Sequence, residues 1–151
     1  MEPEFMERNT LLLAGIVDCG NSVADIDIHG LWRIYDLTQS DIENRIEGNW
    51  YELHIGKEKG NGLYSVTVGV EVSKIEALPV EVVIRIVPGG KYAHFEHSMK
   101  DGGFSDAFAK VEAWAKEKNS RSIDFGLQRF DKTFDVDKGE SVLHIYIPVV
   151  D

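Results

Sequence analysis

The chain has 151 residues, a formal net charge of −10, 43% hydrophobic residues and one cysteine. That length and apolar content describe a single globular domain with its own core, and they exclude a disordered segment. Scattered basic residues argue against a nucleic-acid partner, no apolar stretch is long enough to span a membrane, and no secretory signal opens the chain.

Met1–Phe5 (MEPEF) reads as a cloning scar ahead of a more natural start at Met6, and the fold is expected to begin after it. Leu11–Val17 (LLLAGIV) is a short apolar run that ends in the turn-prone Asp18-Cys19-Gly20-Asn21, which suits a buried strand. Asp25 or Asp27 caps a helix whose apolar face is Ile28, Leu31, Trp32 and Tyr35. Gly30 blurs where that helix begins, and the capping-box spacing of Ser40 and Glu43 suggests one more helical turn. Trp50–Gly56 and Leu63–Val72 alternate and are rich in β-branched and aromatic residues. With Gly60-Asn61-Gly62 between them they read as a hairpin.

Pro79–Val87 reads as a bridging strand, turned by Pro88-Gly89-Gly90 into the strand Lys91–His97. Phe104, Phe108, Val111 and Trp114 form a helical stripe that follows Gly102-Gly103 and is closed by Asn119. Phe125–Asp131 and Ser141–Val150 are the last strands, joined through Asp137-Lys138-Gly139-Glu140.

The order strand, helix, strand, strand thus occurs twice, at an offset of about 75–81 residues. Each helix carries a tryptophan at a similar place, Trp32 and Trp114. Two copies are too few for a solenoid, so they should pack as one pseudo-symmetric domain. The expected fold is α+β: an antiparallel sheet of duplicated modules, two main helices on one side and a central ligand cavity at the seam.

Signatures of catalysis are absent. There is no Gly-x-Ser-x-Gly, no phosphate loop and no dinucleotide fingerprint. His94 and His97 fall on opposite faces of a strand. His94 and Glu96 share a face, but two ligands are not a site, so neither metal nor cofactor is expected. Cys19 has no evident activating neighbours, and a single thiol fits a reducing cytoplasm. The acidic balance favours cationic ligands, although acidity for solubility alone is the more ordinary reading. Aromatic residues near the seam could cage a flat or cationic ligand. Tyr64, Tyr146, Trp32 and Trp114 are the first candidates, followed by Tyr51 and His144.

Several stretches together resemble the GyrI-like effector-binding superfamily, which includes the ligand-binding domains of multidrug-sensing regulators and the C-terminal domain of Rob. They are Leu12–Ile16, Gly30–Trp32, Tyr64–Val72, Pro88–His97, Phe125–Asp131 and Ile145–Val149, in the family's order. The resemblance implies two modules around a cavity for hydrophobic, often cationic compounds. Members carry Phe-Glu-x-Tyr after the second helix, whereas this chain has Leu127-Gln128-Arg129-Phe130. Gln128 can hydrogen-bond but cannot neutralise a cation, so cation binding needs another carboxylate, for which Glu52 or Glu71 is the nearest candidate, and Arg129 should face away.

The expectation is therefore a single effector-binding domain over residues 1–151 that binds a hydrophobic small molecule, cationic or neutral. The residues before Leu11 are too few for a helix-turn-helix, so no DNA-binding domain is expected. A bacterial cytoplasmic setting follows, and a homodimer stays open. Two alternatives remain: a hydrolase of reactive electrophiles in the same cavity, working through Glu71 or Glu52 with a tyrosine, and a protein-interaction inhibitor of the gyrase-inhibitor type.

Overall fold

A computed structural model describes residues 2–56, 63–118, 125–135, 137 and 139–149. The expected Gly60-Asn61-Gly62 turn, the closing Asn119 and Lys138 of the last turn lie outside these residues. Eight strands are present among the described residues: β1 (Glu4–Arg8), β2 (Leu11–Gly20), β3 (Asn49–Gly56), β4 (Tyr64–Glu71), β5 (Val83–Val87), β6 (Gly90–Ser98), β7 (Phe125–Asp131) and β8 (Val142–Pro148). The helices are α1 (Ile28–Thr38), between β2 and β3, and α2 (Phe104–Glu117), between β6 and β7.

All eight strands form one antiparallel sheet in the order β1-β6-β8-β7-β3-β4-β2-β5. Exchanging β1 with β5, β2 with β6, β3 with β7 and β4 with β8 reverses that order and leaves it unchanged. The duplication read from the sequence is thus a twofold pattern of strands, with β3 and β7 flanking its centre. The lead strands are exchanged between modules: β1 edges β6, and β5 edges β2.

Two expectations change here. Glu4 and Phe5, set aside as a scar, belong to β1, where Phe5 packs 6.1 Å from the Trp114 ring. The bridging strand is shorter than Pro79–Val87, because Pro79 instead accepts a turn hydrogen bond from Val82 and pairing starts at Val83. Proline has no N–H to offer a ladder, so an edge is where such a segment belongs.

Asp27, not Asp25, caps α1, its carboxylate accepting from the Gly30 N–H at 3.0 Å. Gly30 therefore lies inside the first turn. At α2, the Asp106 carboxylate accepts from the Gly103 N–H at 2.9 Å. The two tryptophans are not equivalent: Trp32 is the fifth residue of α1, where α2 has Phe108, and Trp114 is the eleventh of α2.

The sheet is curled into a half-barrel. Arg8 on β1 acts on the Tyr51 hydroxyl of β3, four strands away, a separation of ~19 Å in a flat sheet. Paired glycines permit tight curvature: a Cβ on Gly15 would overlap the Val68 carbonyl, and one on Gly69 the Ala14 carbonyl. The inner face seals around Leu11, Leu13, Tyr51, Leu53, Tyr92, Leu127 and Tyr146. Both helices cover the other face. α1 buries Leu31 and Tyr35 against β2 and β4, while α2 buries Ala107, Val111 and Trp114 against β6 and β8. The central pair β3 and β7 is left between them.

Candidate functional site

Because each helix sits over its own module, a cleft of about 1750 Å³ opens over β3 and β7. Strand alternation decides which residues form its floor. Trp50, Glu52 and His54 of β3 and Gln128 and Phe130 of β7 point into it, while Tyr51, Leu53, Leu127 and Arg129 point to the inner face. The walls are aromatic: Trp32 on α1, Phe104 and Phe108 on α2, with Phe134 beyond β7. Trp32 stands edge-on to Phe130 at 6.1 Å, and Phe130 to Phe134 at 4.9 Å.

One carboxylate is buried in this aromatic setting. Glu52 is 8% exposed and sits in register with Gln128, itself 2% exposed. Trp32 Nε1 donates to Glu52 Oε2 at 2.8 Å, and Glu52 Oε1 lies 2.9 Å from His54 Nε2. His54 Nδ1 lies 2.9 Å from the Tyr64 hydroxyl. A carboxylate only accepts, so neutral His54 carries its proton on Nε2 and accepts from Tyr64 at Nδ1. Burial first, then the charges of Glu52 and Glu112, raise the Tyr64 phenol pKa, so Tyr64 keeps the proton this chain requires. Asp27, Glu112 and Asp131 add negative charge at the rim, against Lys116 and Lys132. Chemically the cleft offers flat apolar surface, one oriented anion and a proton relay.

The profile of the integron-associated effector-binding protein family, Cass2, matches residues 6–149. The chain belongs to this family. Among solved structures it is similar to SAV2435 bound to tetraphenylphosphonium, with TM-score 0.76 and 18% identity over 99% of this chain and 94% of that one. An integron cassette protein of Vibrio cholerae aligns with TM-score 0.62 and 17% identity, over 99% and 97% of the two chains. The EcmrR C-terminal domain aligns with TM-score 0.68 and 11% identity, over 99% and 98%. The shared fold is the GyrI-like effector-binding fold. No curated protein sequence matches the chain. Among the described residues no helix is long and apolar enough to cross a membrane.

Of the eight candidate ligand-binding residues read from the sequence, Trp32, Tyr64 and Gln128 line the cleft. Five others do not. Tyr51 and Tyr146 are buried in the inner face, on the wrong strand parity for the cleft. Glu71 pairs with Leu13 and shares that inner face. His144 also faces inward, its ring within 20° of parallel to that of His94 and meeting it edge to edge, with centroids 5.2 Å apart. Trp114 packs edge-on to Phe95 at 5.3 Å, under α2 rather than beside the cleft. Between the two carboxylates proposed to replace the missing Glu, the cleft holds Glu52. Arg129 faces inward, as alternation requires, and donates to the Tyr146 hydroxyl at 3.0 Å. Sequence reasoning passed over His54 and Phe134, and it took Phe104 and Phe108 for core. The available signal was parity: His54 is two residues from Glu52 on one strand.

Proposed function

We propose that the cleft binds hydrophobic cationic aromatic compounds and that the protein senses or sequesters them. The observation that carries this reading is the Glu52 carboxylate, buried on the floor of an aromatic cleft and held by Trp32 and His54. An organic cation gains from aromatic faces and from a desolvated anion together, more than from either at a surface. The tetraphenylphosphonium held by SAV2435 has that chemistry and supports the choice of ligand class. Exposed, unpaired Cys19 supports a reducing, cytoplasmic setting.

Trp32 and Trp50 line the cleft and report on its occupant. Titration with tetraphenylphosphonium should quench tryptophan emission with micromolar affinity, roughly −8 kcal/mol. Anionic aromatics of similar size should bind more weakly. Unchanged emission across such a panel, or a preference for anions, overturns the reading.

A second reading, hydrolysis of a reactive electrophile in the same cleft, is favoured by the Tyr64–His54–Glu52 chain. That chain can pass a proton to or from a bound molecule. Turnover that Tyr64→Phe abolishes would support it. Binding without turnover would leave the first reading alone.

A further inference from the structure

On the inner face of the sheet, away from the cleft, β6 and β8 bring together His94, Glu96 and His144. Alternation places His94 and Glu96 on one face. The register sets His144 opposite Glu96 and Tyr146 opposite His94. The donor atoms of all three lie within 4.8 Å of one another. His94 Nε2 is 2.9 Å from His144 Nδ1, which in turn is 3.9 Å from Glu96 Oε1. We propose that these three side chains form a binding site for a borderline divalent metal ion of the Zn²⁺ or Co²⁺ kind.

Two ring nitrogens that face each other cannot both present lone pairs. In the metal-free protein one proton must bridge them; on ligation that proton shifts to the other nitrogen of its ring, and the metal ion takes its place. Two nitrogens on one tetrahedral zinc are ~3.3 Å apart, given Zn–N bonds of about 2.0–2.1 Å. The rings must therefore part by a few tenths of an ångström and swing in their planes so that both lone pairs converge on the ion. Burial is the main cause that lowers both imidazole pKa values; the Glu96 charge opposes it and the Arg129 charge adds to it. The Tyr146 ring lies 4.5 Å from the His94 ring and within 6° of parallel, so it fixes that ring's plane.

Two cations oppose an ion here, and the fold restrains both. Arg129 is tied to the Tyr146 hydroxyl and to Asn49 Oδ1, each at 3.0 Å, and Arg8 lies 4.1 Å over the Tyr146 ring. Glu4, opposite His94 in the β1 register, joins Glu96 in offsetting them. Two imidazoles and one carboxylate leave a fourth position for water. They favour borderline ions over Mg²⁺ or Ca²⁺, which prefer all-oxygen shells.

Metal-stripped protein titrated with Co²⁺ tests this. Visible d–d bands should saturate at one equivalent, vanish on adding Zn²⁺ and persist on adding Mg²⁺. His94→Ala and His144→Ala should each lose the bands, and Cys19→Ser should keep them. Glu96 is exposed, so Glu96→Gln leaves the fold intact and carries the test if a histidine variant does not fold. It should weaken Co²⁺ binding at least about tenfold, the loss typical even of outer-sphere partners. Absence of bands, bands that survive either histidine change, undiminished affinity in Glu96→Gln, or bands lost in Cys19→Ser would overturn the proposal.

Discussion

Glu52 and Gln128 are each the fourth residue of a central strand, and they face each other across the middle of the sheet, yet their surroundings differ at every step. Glu52 is bonded to Trp32, the fifth residue of α1, and to His54, the sixth of β3. The chain continues to Tyr64, the first of β4. The matching places in the second module hold Phe108, Phe130 and Val142. Every partner of Glu52 in the first module's network has an apolar counterpart in the second. Duplication supplied a two-sided cleft, and divergence gave one side the charge and the other the apolar surface. A hydrophobic cation fits that division, with its charge toward Glu52 and its body against Phe108 and Phe130.

The largest effect should come from removing the charged side. Glu52→Gln keeps shape and hydrogen bonding but loses the anion, and it should weaken tetraphenylphosphonium binding ten- to hundredfold, about 1.4–2.8 kcal/mol. Isothermal titration of both proteins checks this. Next, Gln128→Glu adds a second carboxylate opposite the first. The empty protein should melt lower, since like charges directly opposite repel. Cationic probes should bind up to about tenfold more tightly, while neutral ones are unaffected or weakened. Equal affinities for cationic and neutral dyes in wild type and variant would mean that Gln128 does not meet the ligand.

A smaller effect attends Trp32→Phe, which keeps an aromatic wall but leaves Glu52 Oε2 without its donor. We expect a loss of stability of about 1 kcal/mol in denaturant melts and a several-fold loss in cation affinity. An unchanged midpoint and affinity would show that the Trp32–Glu52 bond is incidental.

The smallest effect is at alkaline pH. Burial raises the phenol pKa values of Tyr51, Tyr64 and Tyr92, and takes Tyr35 to about 12. Raised values mean that the fold favours the protonated form. The stability contributed is complete below the ordinary value of 10 and declines as pH rises through the folded values. Melting temperature should therefore fall above pH 10. Glu52→Gln should lower the Tyr64 value by removing one of the charges that raise it. A melting temperature that holds steady above pH 10 would contradict this.

Most of the architecture was legible because it rests on local pattern. Phe125–Asp131, read as a strand between turn signals, is strand β7 to the residue; Asp27 caps α1 by the ordinary chemistry of a short carboxylate. β1 was missed because its partner, β6, is remote in sequence and five residues carry little pattern of their own. The site was harder. Alternation shows that Tyr51 and Glu52 face opposite ways, but only the placement of the helices reveals which way is the cleft. Phe104 and Phe108 have the spacing of an ordinary core stripe, and only the gap left over β3 and β7 turns them into cleft walls. His144 and His94 are 50 residues apart, so their contact belongs to register alone.

The central claim is that one buried carboxylate, at the seam of an otherwise aromatic cleft, selects for positive charge. Its most direct test is a paired titration of wild type and Glu52→Gln with tetraphenylphosphonium and with a neutral aromatic of similar size. The account predicts that the substitution weakens the cation at least about tenfold and leaves the neutral compound within about twofold, collapsing the preference between them. Equal losses for both compounds, or no loss for the cation, would contradict it.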